Sequence, residues 1–202
     1  MQRLVIPAAL ILTLGFAGQQ MAAQSPAAST SKVTTTVLAG GCFWSMEKAF
    51  EELPGVVSVV SGFSGGTLKN PVYSQVVDGG TGHVESVQVT YDPLKVSYAK
   101  LLDHYWHHID PTTKDRQFCD GGAQYQSVIF YRNDAERKLA EETKAVVARE
   151  LNKPVATEIR PAAAFYAAGP EHQDYYRNHP AAYNAYRIGC GRDRALKEVW
   201  GK

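Results

Sequence analysis

The apolar and polar positions of this chain change period several times, and each change marks an element. Thr34 to Ala39 is rich in β-branched residues and stops at Gly40-Gly41, which predicts a strand and a tight turn. From Phe43 the period becomes helical. Phe43, Met46, Phe50 and Leu53 share one face, Glu47, Lys48, Glu51 and Glu52 lie largely opposite, and Pro54-Gly55 ends the run. Val56 to Phe63 predicts a strand, and the glycines between Gly62 and Gly66 open a loop. Glu85 to Tyr91 alternates as a strand before Asp92-Pro93, and Ser97 caps a helix with Tyr98, Leu101, Leu102, Tyr105 and Ile109 inward. Gln126 to Tyr131 predicts another strand. Asn133 and Glu136 open the longest helix, which runs to about Leu151 and carries the charge pairs Arg137 with Glu141 and Lys138 with Glu142. Thr157 to Arg160 reads as a last strand. From Ala167 onward aromatic residues alternate with Gly and Pro and no period is sustained, so an irregular tail wrapping the domain is expected.

This succession of strands and helices is a split βαβ pattern. It predicts an α+β fold, a two-layer α/β sandwich with a ferredoxin-like core, a mixed sheet and an irregular C-terminal tail. The first thirty residues differ from the rest: Arg3 is their only charged side chain, and an apolar run from Leu4 to Phe16 leads into a small, polar stretch. That run is short of the roughly 20 residues a hydrocarbon core takes, but it suits the h-region of a secretory signal. Residues 1–23 are therefore expected to be a signal peptide, 24–33 a flexible leader and 34–202 the functional domain. The mature chain is expected in the periplasm or secreted, free of the membrane.

Composition narrows the function. The 202 residues carry 21 Lys+Arg against 20 Asp+Glu, a net charge of +1, so no global field points to nucleic acid or a membrane surface. The 3 cysteines, Cys42, Cys119 and Cys190, are too few for a disulfide scaffold, and their odd number leaves at least one outside any intramolecular bridge. Cys42 sits where the strand, the Gly-Gly turn and the helix start coincide. Unpaired N–H groups and the helix dipole there favour an anion, so an activated thiolate is expected. Glu85 is in register with Val87, Val89 and Tyr91, which points its carboxyl to the apolar side, where desolvation raises the pKa and holds a proton near neutral pH. A nucleophilic sulfur beside a protonated carboxyl suits attack on a polarised atom with protonation of the oxygen that leaves.

The neighbouring residues leave alternatives open. Tyr73 and Tyr125 lie in predicted loops and are able to donate hydrogen bonds, while Phe43 and Trp44 form either an apolar pocket or helix core. His104 and His108 have a spacing that holds metals, but no further ligand accompanies them; a partly solvated helix face is expected, with no metal site. Connectivity among the cysteines stays undecided. Two other functions use the same residues: a cysteine hydrolase pairing Cys42 with His83, and a binding domain with a structural Cys42–Cys190 bridge.

Gly41-Cys42-Phe43-Trp44, Gly62 to Gly66, Asn70-Pro71-Val72-Tyr73, Thr81 to Glu85, Asp110-Pro111, Asp120 to Tyr125 and His172 to Tyr175 resemble, in order and spacing, the A-type peptide methionine sulfoxide reductases. The resemblance implies that Cys42 attacks the sulfoxide sulfur and Glu85 protonates its oxygen. It further implies that Tyr73 and Tyr125 hydrogen-bond that oxygen, Asp120 orders the site, and Phe43 and Trp44 hold the substrate methyl group. Substrates would be the S epimer of methionine sulfoxide, in oxidised proteins or free. No bound cofactor is implied; Cys190, with Cys119 as the alternative, would resolve the Cys42 sulfenic acid for a thioredoxin-like dithiol acting on a monomer. Ser45 and Gln126 depart from the Gly and Arg common in the family, and the tail lacks its longer glycine-rich segment.

Overall fold

The computed structural model describes residues 32–201; the predicted signal peptide and most of the leader lie outside the described residues. In chain order the elements are β1 (Thr34–Gly40), α1 (Phe43–Glu51), β2 (Val56–Ser64), α2 (Tyr73–Val77), β3 (Val84–Tyr91), α3 (Tyr98–Trp106), β4 (Arg116–Gln117) and β5 (Asp120–Gly121). They continue with β6 (Ser127–Tyr131), α4 (Asp134–Leu151), β7 (Glu158–Pro161), β8 (Phe165–Ala167), α5 (Tyr175–Asn178), α6 (Pro180–Cys190) and α7 (Arg192–Trp200). Six strands form one sheet in the order β7-β6-β1-β3-β2-β8, and β4 pairs with β5 as a small hairpin. The sheet is mixed: β7 runs parallel to β6, while each adjacent pair from β6 through β1, β3 and β2 to β8 is antiparallel.

Side-chain alternation gives each sheet face its own role. Leu38, Val87, Val89 and Ile129 face α1, α3 and α4, where Phe43, Met46, Phe50, Leu101, Leu102, Tyr105 and Ala140 complete the main core. Ala39, Val84, Val128 and Phe130 form a smaller cluster on the other face. The predicted caps form as expected: Ser97 Oγ accepts from Lys100 N–H at 3.2 Å and Asn133 Oδ1 from Glu136 N–H at 3.0 Å. Among the described residues no helix is long and apolar enough to cross a membrane.

Several expectations are corrected. The tail is not irregular. Pro180 stands in the first turn of α6, where its missing N–H costs nothing, and Gly191 adopts φ 67° as the link between α6 and α7. These two residues punctuate helices rather than prevent them. Tyr73 opens the short helix α2 rather than lying in a loop. Arg137 pairs with Asp134 at 3.4 Å, one turn toward the positive end of the helix dipole, instead of with Glu141; Lys138 does reach Glu142, at 3.9 Å. The half-burial of His104 and His108, by contrast, agrees with the partly solvated helix face expected of them, and each spends a ring nitrogen on a backbone carbonyl, Ala49 O at 2.8 Å and His104 O at 2.7 Å.

Candidate active site

The turn between β1 and α1 sets the position of the nucleophile. Gly41 has φ 81°, and a Cβ there would fall 2.5 Å from Cβ of Gln117, a fully buried residue of β4. Gln117 itself is fastened to Asp110, donating from Nε2 to its carbonyl at 2.6 Å and accepting its N–H at 3.0 Å. Gly41→Ala is therefore expected to destabilise the fold by about 2–4 kcal/mol, from left-handed backbone strain and overpacking together. A lowered urea midpoint would show it; an unchanged midpoint would refute the tight junction.

Cys42 is the N-cap residue of α1 and its thiol is free. The placement is as expected, but the activation is not: burial pushes the thiol up to about 12, and the Glu85 and Asp120 carboxylates add to the rise. A hydrogen bond from Tyr186 opposes it. The helix terminus is one influence among several, and here desolvation outweighs it. Glu85 behaves as predicted. It is 1% exposed on the core face of β3, its Oε2 accepts the Phe43 N–H at 2.9 Å, and burial lifts its carboxyl to about 8. The acid is thereby joined directly to the first turn of the helix that carries the nucleophile.

Tyr73 and Tyr125 lie near each other, and both phenols are raised above their ordinary value, first by burial and next by the Glu85 charge, Tyr73 to about 12. They remain hydrogen-bond donors through neutral pH. Phe43 is core, with Phe63 and Tyr73 at ring distances of 5.8 and 6.1 Å, while Trp44 stacks flat on Tyr175 at 3.8 Å. Asp120 is half-buried and its carboxyl is raised by burial; its Oδ2 accepts from the Tyr186 hydroxyl at 2.5 Å. Cys119 and Cys190 form a disulfide, and Cys42 pairs with neither. That disulfide, whose Cys119 is exposed, lies against Asp120, with Cys119 Sγ 3.6 Å from Oδ1.

Three residues at the site were missed from the sequence. His172 packs over Tyr73 at 4.2 Å and Phe43 at 5.4 Å, and burial lowers its pKa. Tyr175 covers Trp44, and Tyr186 meets it edge-on at 6.0 Å. Gln173 holds this segment in place: its side chain accepts Ser61 N–H and donates to Ser61 O, both at 2.9 Å, imitating a strand along β2. The His172-Gln173-Asp174-Tyr175 run was the available signal for the first two; Tyr186 lies in a stretch with no motif. His83 does not approach as a base. Its Nε2 bonds Leu68 O at 2.7 Å and its Nδ1 accepts Gly66 N–H at 3.2 Å, so both nitrogens are spent on the loop after β2. The hydrolase alternative loses its base, and the structural Cys42–Cys190 bridge is not formed.

The conserved sequence pattern described as peptide methionine sulfoxide reductase matches residues 34–202. The chain belongs to this family. It is 49% identical over 166 residues to the peptide methionine sulfoxide reductase MsrA of Bacillus licheniformis, covering 81% of this chain and 92% of that one. It is 44% identical to MsrA 2 of Caulobacter vibrioides over the whole of both chains. Among solved structures it resembles reduced Mxr1 of Saccharomyces cerevisiae (TM-score 0.71, 30% identity, 75% of this chain and 88% of that one). It also resembles methionine sulfoxide reductase A of Corynebacterium diphtheriae (TM-score 0.66, 34% identity, 73% and 76%). The complex of Mxr1 with Trx2 matches at TM-score 0.51 and 25% identity, over 72% of this chain and 86% of that one.

Proposed function

We propose that the chain reduces the S epimer of methionine sulfoxide, in proteins and free, to methionine. The observation that carries this reading is the hydrogen bond from Phe43 N–H to Glu85, which sets a carboxyl raised to about 8 beside the helix start that bears Cys42. The Cys42 sulfur attacks the sulfoxide sulfur while Glu85 gives its proton to the departing oxygen, with Tyr73 and Tyr125 as donors to the same atom. Asp120 orders the site, and Phe43 and Trp44 supply the apolar surface for the substrate methyl. The oxygen passes to Cys42 as a sulfenic acid and the substrate leaves as a thioether.

A second thiol, that of Cys190, condenses with the sulfenic acid, releasing water and forming a Cys42–Cys190 disulfide. Cys119 then exchanges with it, freeing Cys42 and leaving the Cys119–Cys190 disulfide seen in the structure. This relay moves the oxidation from a buried sulfur to an exposed one, within reach of a thioredoxin-like dithiol; the Mxr1–Trx2 complex supports a partner of that kind. No bound cofactor enters the scheme.

The test is reduction of methyl p-tolyl sulfoxide with dithiothreitol and with thioredoxin. The wild type is expected to turn over with both reductants. Cys119→Ser and Cys190→Ser are each expected to complete a single turnover and then to stall with thioredoxin alone. Sustained thioredoxin-driven turnover in either variant would remove that cysteine from the relay.

Three finer readings accompany this one. The central order β6-β1-β3-β2, antiparallel throughout and with helices following β1 and β3, supports a ferredoxin-like core in a two-layer sandwich. The signal-like residues 1–23 support a mature chain in the periplasm or secreted, where an exposed disulfide persists. A monomer is supported by the exposed large apolar side chains, Val33, Val57, Leu68, Val72, Leu94, Val146 and Ile188, coming from several different elements and loops.

A further inference from the structure

Cys42 is 6% exposed, and α6 brings Tyr186 into its surroundings. The Tyr186 hydroxyl donates to Asp120 Oδ2 at 2.5 Å and is also within hydrogen-bonding reach of the Cys42 sulfur, while its ring stands perpendicular to Trp44 at 6.0 Å. Tyr175 already occupies a face of the same indole. A sulfoxide sulfur has to come within about 3–3.5 Å of the nucleophile, and a Cys42 that is 6% exposed leaves little room for that approach while Tyr186 stands beside it.

The same helix carries Cys190 one turn after Tyr186, so the two side chains share a face. Both are held by adjacent residues of one loop: Cys190 is bonded to Cys119, and Tyr186 to Asp120. Two further contacts secure α6: the Arg187 guanidinium is paired with Asp193 of α7, and the Tyr183 hydroxyl accepts from Arg187 at 3.0 Å. Tyr183 is its one buried residue among those described, and Ile188 is 77% exposed. Its neighbour α7 has anchors of its own: Arg192 donates to His108 O at 2.7 Å and Trp200 to Ile109 O at 3.1 Å. Between the two helices lies Gly191, with φ 67°. Cutting the disulfide would leave α6 docked by Tyr183, the Tyr186 hydrogen bond and the partly exposed Arg187–Asp193 pair, so that the covalent tie to the Cys119 hairpin is lost while α7 stays anchored.

We propose that the Cys119–Cys190 disulfide is a latch that keeps Tyr186 over Cys42, so that its reduction opens the nucleophile to substrate as well as restoring the resolving thiol. Two reductant thiols become one disulfide as Cys119 and Cys190 each gain a hydrogen. Reduction therefore precedes substrate entry, and the oxidised enzyme shields its free thiol from bulk oxidants. The proposal rests on the reading of Cys119–Cys190 as the disulfide of the reductase cycle.

The experiment is alkylation of Cys42 by iodoacetamide, followed by mass spectrometry of the Cys42 peptide alone, in the full domain with the disulfide intact and after phosphine reduction. Reduction is expected to speed modification of Cys42 at least tenfold. Tyr186→Ala with the disulfide intact is expected to reach the rate of the reduced wild type. Equal Cys42 rates in oxidised and reduced wild type would overturn the latch, and that comparison needs no variant to fold. So would a Tyr186→Ala protein, folded by circular dichroism, whose oxidised form stays as slow as the wild type. Sulfoxide reduction is read separately on the same samples. Active enzyme with ungated Cys42 removes the latch alone, whereas gated Cys42 without sulfoxide reduction removes the reductase reading and leaves the latch standing.

Discussion

Cys42→Ser is expected to lower sulfoxide reduction by about 10⁴-fold or more, to the uncatalysed background. A serine hydroxyl fits the same N-cap position and can keep the Tyr186 contact, so the melting temperature is expected to change little. What is lost is the atom that accepts oxygen and passes it on. The variant has a second readout. Its Cys119–Cys190 disulfide is expected to be reduced normally, yielding the two thiols, but methionine sulfoxide is no longer expected to reoxidise them, since the oxidising equivalents enter through Cys42. Thiol titration after addition of sulfoxide would show it. Reoxidation at the wild-type rate would mean that one of the other two cysteines is the primary nucleophile.

Glu85→Gln is expected to slow the reaction by about 10²–10⁴-fold, the usual worth of a positioned general acid. The amide oxygen can still accept the Phe43 N–H, so the junction with α1 survives while the transferable proton does not. The ratio of wild-type to variant rate carries the diagnostic pH dependence, because ionisation of Cys42 enters both rates. That ratio is expected to be largest below pH 8 and to fall as the carboxyl loses its proton through about 8. A flat ratio would show that Glu85 does not act as an acid.

The same substitution acts on stability in the opposite sense. The carboxyl ionises near 4.5 when free but near 8 in the fold, so between these values the unfolded chain has given up a proton that the folded chain keeps. Wild-type stability therefore declines as pH rises across that window and levels off above it. The variant lacks this decline, and its stability relative to wild type is expected to improve by on the order of 2–4 kcal/mol from pH 4 to pH 8. Denaturant unfolding at the two pH values measures it. A stability difference that does not change with pH would mean the carboxyl is not held protonated.

What the sequence revealed and what it hid divide along a physical line. The strand, Gly-Gly turn and helix around Cys42 were legible because each is encoded by its own neighbours: β-branched residues, a left-handed glycine and a 3.6-residue period. Glu85 was legible because alternation along a strand decides which side chains share a face. The charge state of Cys42 was not, since the burial and the carboxylates that raise it arrive from β3 and the loop at Asp120, far away in the chain. The helices of the tail were hidden for a related reason. The inward face of α6, Tyr183, Tyr186, Arg187 and Cys190, is a mixture of polar and apolar groups, and the Pro and Gly at its ends resemble breakers when read without the intervening turns. Tyr186 acts through partners 66 and more residues distant, and no local pattern announces such a contact.

The two outer strands of the sheet bear on a different property. β8 has 3 residues, and β7 has 4 and ends at Pro161, with Glu158 and Arg160 along it. Short edges carrying charge or proline offer foreign strands little to pair with. Both ends of the six-stranded sheet are thus closed to edge-to-edge growth, which disfavours association of this chain with copies of itself through its sheet.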